Sequence, residues 1–201
     1  MTIAKITDIL NKKIPSDRLA ANADMRQYTS FKAGGRADLL VIPKTHDELI
    51  YITDTLKSES TPYMIMGNGS NILVKDGGYR GVIIRIDEGF SDINIQGNSV
   101  IAGAGALMST VARKALEAEL TGFEFASGIP GSIGGGVFMN AGAYGGEIAD
   151  VIEYAQVLDT DTGSIRRISA AELELSYRHS ILQQSGDIVL SVKLNLKKGN
   201  Y

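Results

Sequence analysis

The N-terminal segment carries apolar residues at helical spacing. Ile3, Ile6, Leu10 and Ile14 follow one another at intervals of three or four residues, which places them on one face of a helix. Pro15 cannot donate a backbone hydrogen bond, so the pattern predicts that this helix stops there. The segment that follows is polar and punctuated by glycine, which is typical of a loop.

The rest of the first half alternates one more helix with short apolar runs. The helix is predicted to begin at the pair Thr45 and Glu48 and to continue to about Ser58, because a Thr three residues before a Glu can satisfy the first free amides of a helix. Four runs predict strands: residues 37–42, 62–66, 72–74 and 81–86. These elements describe a small α/β unit.

The hydrophobic period changes after Phe90. Alternating residues predict a β-hairpin over 93–102, with its turn at 96–98, and a helix follows over 107–120. Further strands are predicted at 151–158, 164–168 and 188–196, with a helical turn capped by Ser169 over 170–175. The change of pattern near residues 86–92 predicts two lobes, residues 1–88 and 89–201.

One stretch between these elements is unusually rich in glycine. Residues 128–146 hold 8 of the chain's 23 glycines, although each glycine costs about 0.5–1 kcal/mol against alanine within a regular element. A flexible linker of this kind is normally polar and rich in serine, whereas this stretch carries Ile129, Ile133, Val137 and Phe138. A buried cradle for a ligand is therefore the favoured interpretation.

Composition and charge exclude several classes of protein. The chain has no cysteine, which excludes disulfides, thiolate metal sites and a cysteine nucleophile, and its two histidines, His46 and His179, are too few for a histidine-rich metal site. A net charge of −3 argues against general nucleic-acid binding. Lys5 and Asp8 interrupt the apolar N-terminus, so we expect neither a signal peptide nor a membrane anchor but a cytoplasmic protein, for which a monomer is the expectation.

Two loops offer runs of backbone amides with Ser and Asn side chains, Gly67–Asn71 and Gly128–Gly136. Such loops suit phosphate oxygens. Neither is a standard phosphate-binding motif. The second loop lacks Lys-Ser/Thr and so is not the kinase-type phosphate loop. Gly103-Ala-Gly105 is not a Rossmann fingerprint, because Met108 occupies the place of the third glycine. A pyrophosphate at both loops, with a flat ring against the apolar residues, points to a flavin dinucleotide.

Five ordered motifs resemble the UDP-N-acetylenolpyruvoylglucosamine reductase family of bacterial peptidoglycan synthesis. They are Thr29-Ser-Phe-Lys-Ala-Gly-Gly35, Gly67-Asn-Gly-Ser-Asn71, Gly128-Ile-Pro-Gly-Ser-Ile-Gly-Gly-Gly136, Met139-Asn-Ala-Gly-Ala-Tyr-Gly145 and Tyr177-Arg-His-Ser180. The resemblance extends over about residues 25–198 in unchanged order. Five motifs in one order are far more specific than any one of them.

The resemblance implies an α+β, two-lobed FAD-binding fold of the vanillyl-alcohol-oxidase (p-cresol methylhydroxylase) type, with one non-covalent FAD held between the lobes. It also implies which positions bind the cofactor. The cofactor-binding residues expected from it are Met66, Gly67, Asn68, Gly69, Ser70, Asn71, Ile72, Gly128, Pro130, Gly131, Ser132, Gly135, Asn140, Ala141, Gly142, Tyr144, Gly146 and Ile188. No metal is expected.

The reaction implied is NADPH-dependent, FAD-mediated reduction of UDP-N-acetylglucosamine enolpyruvate to UDP-N-acetylmuramate. Such a reaction needs a fixed cation for the enolate-like carboxylate, and by the resemblance this is Arg178. A surface salt bridge is the alternative for Arg178. Tyr144 contacts the substrate, stacks on the flavin or belongs to the core, and these alternatives stay open at this point.

The family also has a C-terminal substrate-binding domain, which carries a proton-donor serine and a catalytic glutamate. The chain ends at Tyr201, where that domain would begin, so the expectation is a FAD-binding portion with little or no activity alone. Two alternatives remain open. One is a different FAD-dependent oxidoreductase of the same fold, and the other is a FAD-binding module without chemistry.

Overall fold

The computed structural model describes residues 2–199. The chain divides into two compact units, Met1–Gly89 and Phe90–Tyr201. This division falls one residue after the boundary expected from the hydrophobic pattern. No helix among the described residues is long and apolar enough to cross a membrane.

The first unit is a four-stranded sheet with two helices. In chain order its elements are α1 (Ile3–Leu10), β1 (Leu19–Asp24), β2 (Arg36–Val41), α2 (His46–Ser58), β3 (Tyr63–Met66) and β4 (Tyr79–Arg85). The strand order is β1-β2-β4-β3. The pairs β2–β4 and β3–β4 are parallel, whereas β1 runs antiparallel to β2.

The parallel strands of this sheet are buried. Val82, Ile83 and Ile84 of β4 have no solvent-exposed surface, as expected for a parallel strand covered on both faces. Most of the predicted elements of the unit are present with small shifts at their ends. α1 ends at Leu10 rather than at Ile14, although Ile14 remains fully buried.

One prediction for the first unit was wrong, and one strand was missed. Residues 72–74 form no strand. The backbone bond next to them is the one that the Gly35 amide donates to the Lys75 carbonyl, and Leu73 remains 69% exposed. The strand β1 was not predicted, because its sequence LAANAD lacks β-branched and aromatic residues. Pairing with β2 forms this strand in spite of its weak propensity.

The predicted pair, Thr45 and Glu48, lies at the start of α2. The Glu48 side chain, however, bonds to Lys44 and Arg18. The Thr45 side chain accepts a hydrogen bond from the Glu48 amide. The Glu48 carboxylate accepts bonds from the Lys44 amide at 2.7 Å and from both ends of the Arg18 guanidinium at 2.6 and 2.8 Å. The side chains of Arg18 and Glu48 are only 13% and 19% exposed. Together they bind the segment before β1 to the helix.

We expect Glu48→Gln to destabilise the protein by about 1–3 kcal/mol, because partly buried charge-assisted bonds are lost. The hydrogen bonds from Arg18 hold the pKa of Glu48 below its usual value. The stability it contributes is therefore present above the unfolded pKa and lost as pH falls through the folded pKa. Urea unfolding at pH 7 and at acidic pH measures this. A difference between wild type and variant that persists unchanged into strong acid would contradict the prediction.

The second unit is built on a five-stranded antiparallel sheet. Its described elements are β5 (Ile93–Gln96), β6 (Ser99–Gly103), α3 (Met108–Glu117), β7 (Leu120–Thr121), α4 (Ile133–Phe138), β8 (Gly142–Ala143), β9 (Gly146–Glu147), β10 (Ile152–Leu158), β11 (Ile165–Ser169), α5 (Leu182–Ser185), β12 (Ile188–Asn195) and β13 (Lys197–Lys198). The order of the large sheet is β11-β10-β12-β6-β5. The helix α4 packs on β12 and β6.

Several predictions for this unit are confirmed. The hairpin β5–β6 pairs Gln96 with Ser99 across a tight turn at Gly97. The predicted capping box at Ser169 is present, since Ser169 and Glu172 exchange backbone and side-chain bonds. The residues after it make only a turn, because the chain reverses at once into the segment around Tyr177. The short helices α4 and α5 were not predicted.

Candidate functional site

The loop Gly67–Asn71 follows the carboxyl end of the parallel strand β3, the edge at which ligands of such sheets commonly bind. Gly69 has φ +67°, and an added Cβ would overlap the carbonyl oxygen of Tyr28. Its own carbonyl accepts a hydrogen bond from Ser30 at 3.1 Å. The loop therefore lies directly against the motif at 29–35, and the contact is made by backbone atoms of both segments. Two of the five motifs meet here.

Arg85 brings a positive charge to the same edge of the sheet. It pairs with Met66, the residue before the loop, and its guanidinium lies 5.4 Å from the ring centre of Tyr28. Its Nε is buried and has no hydrogen-bond partner among residues 2–199; Asp87 is 3.8 Å away. A positive charge beside a loop that holds no Lys or Arg is compatible with an anionic group such as a phosphate.

In the second unit, the glycine stretch is held by pairing with the segment before α3. The amide of Met108 donates to Gly131 at 3.0 Å, and those of Ile133 and Gly134 donate to Ala106 and Ala104 at 2.8 and 2.9 Å. These bonds fix the backbone of residues 131–134 at the start of α4. The residues before them, around Gly128, remain exposed.

The glycines of this stretch serve two purposes. Gly134 and Gly136 permit close packing, since an added Cβ would lie 2.8 Å from Ala104 Cβ and 2.8 Å from Met108 Sδ respectively. Gly128, in contrast, has no heavy atom within 4 Å of that position, and Gly135 only the Ser132 hydroxyl at 3.6 Å. Open space at these two positions fits a cradle for a flat ligand such as FAD. The interpretation of the whole stretch as ligand backbone was too broad, because two of its glycines pack on protein.

Tyr144 stands at the tip of a two-residue hairpin. The strands β8 and β9 pair Ala143 with Gly146, and the two turn residues, Tyr144 and Gly145, have φ values of +54° and +84°. This is the conformation of a type I′ turn, which normally takes Asn and Gly. Tyr144 is 96% exposed. The core alternative for Tyr144 is therefore wrong; its ring is displayed to solvent at some cost in backbone strain.

Arg178 is also exposed on a tight turn and also has a positive φ. Ser176 and His179 exchange backbone hydrogen bonds of 3.2 and 3.1 Å, which leaves Tyr177 and Arg178 as the centre of a tight turn. Arg178 has φ +56°, a conformation that costs a residue with a side chain about 1–2 kcal/mol. Tyr177 is 91% exposed. Left-handed residues other than glycine, asparagine or aspartate are uncommon and concentrate at functional sites.

The predicted site residues differ in how far solvent can reach them. Exposed positions are Asn71, Gly128, Pro130, Gly135, Gly142, Tyr144 and Arg178; half-buried positions are Gly67, Asn68, Ser70, Ile72, Gly131 and Gly146; buried positions are Met66, Gly69, Ser132, Asn140, Ala141 and Ile188. The buried side chains offer a ligand little surface. Asn140, for example, uses its side chain within the protein, donating to Ser176 at 3.1 Å and accepting from Ala149 at 3.0 Å.

Sequence reasoning missed residues that support these loops. Arg85 and Gln183 belong to no motif, and Gln183 contacts the residues at 138–139 only after the chain has folded back. One signal was available, because large apolar side chains occur within the motifs or within two residues of them. Phe31, Leu73, Phe138 and Tyr177 are all exposed, which is typical of surfaces that contact a ligand or another segment.

The fold and the two loops define the class of protein as a FAD-binding flavoprotein domain. The family described as "FAD binding domain" matches residues 37–169, and the chain belongs to this family. Within it, the chain is similar to the UDP-N-acetylenolpyruvoylglucosamine reductases, which confirms the resemblance seen in the motifs. That of Alkaliphilus oremlandii is 50% identical over 192 residues, covering 96% of this chain and 63% of the relative. That of Clostridium novyi is 47% identical over 196 residues, again covering 96% of this chain and 63% of the relative.

Solved structures give the same fold. UDP-N-acetylenolpyruvylglucosamine reductase (MurB) from Thermus caldophilus aligns with a TM-score of 0.76 at 35% identity, over 90% of this chain and 62% of that one. p-Cresol methylhydroxylase aligns with a TM-score of 0.70 at 14% identity, over 98% of this chain and 43% of that one, and so shows the fold alone. The predicted fold type is confirmed. The chain spans somewhat less than two thirds of the length of its reductase relatives.

Proposed function

We propose that the chain is the FAD-binding part of an NADPH-dependent UDP-N-acetylenolpyruvoylglucosamine reductase of peptidoglycan synthesis. In this proposal UDP-N-acetylglucosamine enolpyruvate is the substrate, NADPH the hydride donor, and the cytoplasm the place where a monomeric enzyme acts. The observation that carries the proposal is the strained turn that displays Arg178 beside the glycine stretch. This turn occurs in a chain that is 50% identical to a named reductase over 192 residues.

Each unit has a loop that would contact FAD mainly through backbone groups. Gly67–Asn71 offers amides and two Asn side chains on a loop with Arg85 nearby, and Gly128 offers a backbone that a ring or phosphate can approach closely. Bound FAD would supply the hydride transfer that amino-acid side chains cannot perform.

Arg178 would hold the carboxylate of the substrate. A guanidinium presents parallel N–H donors that match the two oxygens of a carboxylate. Negative charge grows on that group as hydride is added to the vinyl ether, so a fixed cation is worth more in the transition state than in the ground state. The tight turn fixes the backbone of Arg178 before substrate arrives, which reduces the ordering cost at the moment of reaction.

A glycine substitution tests whether the second unit binds FAD where we propose. Gly128→Ala adds a methyl group into open space, so the thermal stability of the protein without flavin should stay within about 1 °C, as for a neutral surface change. If the flavin approaches this backbone, the same methyl should weaken FAD affinity roughly tenfold or more, which corresponds to about 1.4 kcal/mol. Quenching of flavin fluorescence measures the affinity.

Gly77→Ala is the matched control, because Gly77 also has open space around the added methyl and lies outside the proposed cofactor contacts. Its FAD affinity should equal that of the wild type. Equal affinity of the Gly128→Ala protein would remove Gly128 from the site. Absence of any flavin bound to the wild-type protein after gel filtration would reject the proposed function as a whole.

Two alternatives are separated by simple measurements. A related oxidase of the same fold is suggested by solved neighbours such as a Phl p 4 variant that is a glucose oxidase, which shares only 12% identity. Rapid reoxidation of the reduced flavin by oxygen would favour it over the reductase. A binding module without chemistry would give no NADPH oxidation dependent on the enolpyruvyl sugar nucleotide, even in the full-length protein.

A further inference from the structure

We propose that Gln183 is a positioning residue that holds the Arg178 turn in its left-handed conformation. It acts together with Asn140 and Ser180, and we call these three residues the polar clamp. The inference rests on the proposed role of Arg178 and adds the residue that fixes its geometry. Gln183 itself touches neither substrate nor cofactor in this proposal.

The polar clamp binds the turn to the end of α4 and to the loop that follows it. Ser180 Oγ donates to the carbonyl oxygen of Phe138 at 2.8 Å. Gln183 Nε2 donates to the same oxygen at 3.1 Å and to the carbonyl oxygen of Arg178 at 3.0 Å. Asn140 Nδ2 donates to the carbonyl oxygen of Ser176 at 3.1 Å. Donors thus reach the turn at its first residue and at Arg178 itself.

The members of the clamp differ in burial, and this difference separates structural from positioning roles. Ser180 is fully buried and Asn140 is 3% exposed, so each has a structural reason to form its bonds, since a buried polar group must be paired. Gln183 lies on the surface at the start of α5. Water would satisfy its amide equally well there, so its bond to the Arg178 carbonyl is not required by burial.

The backbone strain at Arg178 explains why the bond from Gln183 to the Arg178 carbonyl matters. A non-glycine residue with φ +56° persists only where its surroundings over-determine it. The Gln183 amide binds the carbonyl of the strained residue and the carbonyl of Phe138 at once, and so sets the distance between the turn and the end of α4. Loss of this donor frees the turn to relax, and the guanidinium then leaves the position in which it would meet the substrate.

The test uses the full-length protein with FAD and compares four variants. Gln183→Met and Gln183→Glu both lose the donor, and should lower kcat roughly 10- to 100-fold, as expected for a displacement of about an ångström. Gln183→Lys keeps a donor of similar reach and should restore most of the rate. Gln184→Glu is the matched control; Gln184 is the neighbouring surface residue, makes no side-chain hydrogen bond within residues 2–199, and should keep the wild-type rate.

A second measurement shows whether Gln183 acts through Arg178. If it does, Gln183→Met should lower kcat no further in an Arg178→Ala background, since two residues of one unit are not additive. FAD affinity and the midpoint of thermal unfolding should stay at wild-type values in all Gln183 variants. A merely structural role would lower those two quantities instead and leave kcat per folded molecule unchanged.

The outcomes keep the two proposals apart. If Arg178→Ala turns over at the wild-type rate, the proposed function loses its catalytic residue, and the role of Gln183 is lost with it. If Arg178→Ala is slow but Gln183→Met is as fast as wild type, only the positioning role is overturned. A rate loss of Gln183→Met that adds in full to that of Arg178→Ala also overturns it.

Discussion

Arg178→Gly is expected to slow reduction of the enolpyruvyl sugar nucleotide about 100- to 1,000-fold in the full-length protein, the usual effect of removing one charge-stabilising donor. The folded protein should be as stable as the wild type or more so. Glycine removes the strain of φ +56°, about 1–2 kcal/mol, and the greater freedom of the unfolded chain offsets about 0.5–1 kcal/mol of that gain. Steady-state kinetics and thermal unfolding of the same preparation measure both effects.

Glu174→Gly is the control for this prediction. Glu174 has φ +48°, lies on the surface four residues earlier and has no proposed role. Its replacement should raise the unfolding midpoint by a similar amount, up to about 3 °C for a chain of this size, with unchanged turnover. A protein that gains stability at Glu174 but loses it at Arg178 would show that the arginine stabilises its turn, and the interpretation of stored strain would then be withdrawn.

An exchange of stability for function explains why arginine occupies a glycine position. A turn selected only for stability would place Gly or Asn where φ is positive. The turn at 176–179 and the hairpin at 143–146 both break this rule, with Arg178 and Tyr144 respectively. Both side chains are exposed, so neither gains burial in return. The strain is therefore carried by exposed side chains, and at Arg178 the proposed role in substrate binding gives a reason for it.

Most of the fold could be predicted from hydrophobic patterns. The helix α2 follows from a capping pair, the hairpin β5–β6 from a change of period, and the strand β12 from an alternating run. The strand β1 could not be predicted, because its alanines and asparagine have low strand propensity. It forms through pairing with β2. The helix α4 could not either, since IGGGVF has the composition of a loop and is held by contacts with Ala104 and Met108.

The candidate site was predictable only as far as motifs extend. The loops at 67–71 and 128–136 stand out in the sequence because glycine runs are costly and need a reason. Arg85 and Gln183 do not stand out in the sequence, because a single arginine on a strand or a single glutamine after a turn forms no distinctive pattern. Their positions are set by the pairing of β4 with β3 and by the return of the chain after Ser180. Such long-range geometry is absent from local sequence.

Gly69→Ala is expected to abolish FAD binding and to destabilise the protein by about 2–5 kcal/mol. Two effects add here: a side chain at φ +67° costs about 1–2 kcal/mol, and the methyl group would overlap the Tyr28 carbonyl, at a further cost of about 1–3 kcal/mol for overpacking. Backbone cannot rotate away as a side chain would, so the loop 67–71 must leave the motif at 29–35. Denaturant unfolding and flavin titration measure the two losses.

Gly97→Ala separates the two effects, because Gly97 shares the positive φ, at +58°, but has open space around the added methyl. It should cost only the strain, about 1–2 kcal/mol, and leave FAD affinity unchanged. If Gly69→Ala costs no more than Gly97→Ala and still binds FAD as tightly, then the close approach of loop 67–71 to Tyr28 does not shape the site. If FAD binding is lost at Gly69 alone, the contact between these two motifs is what holds the amides of the loop ready for the phosphates.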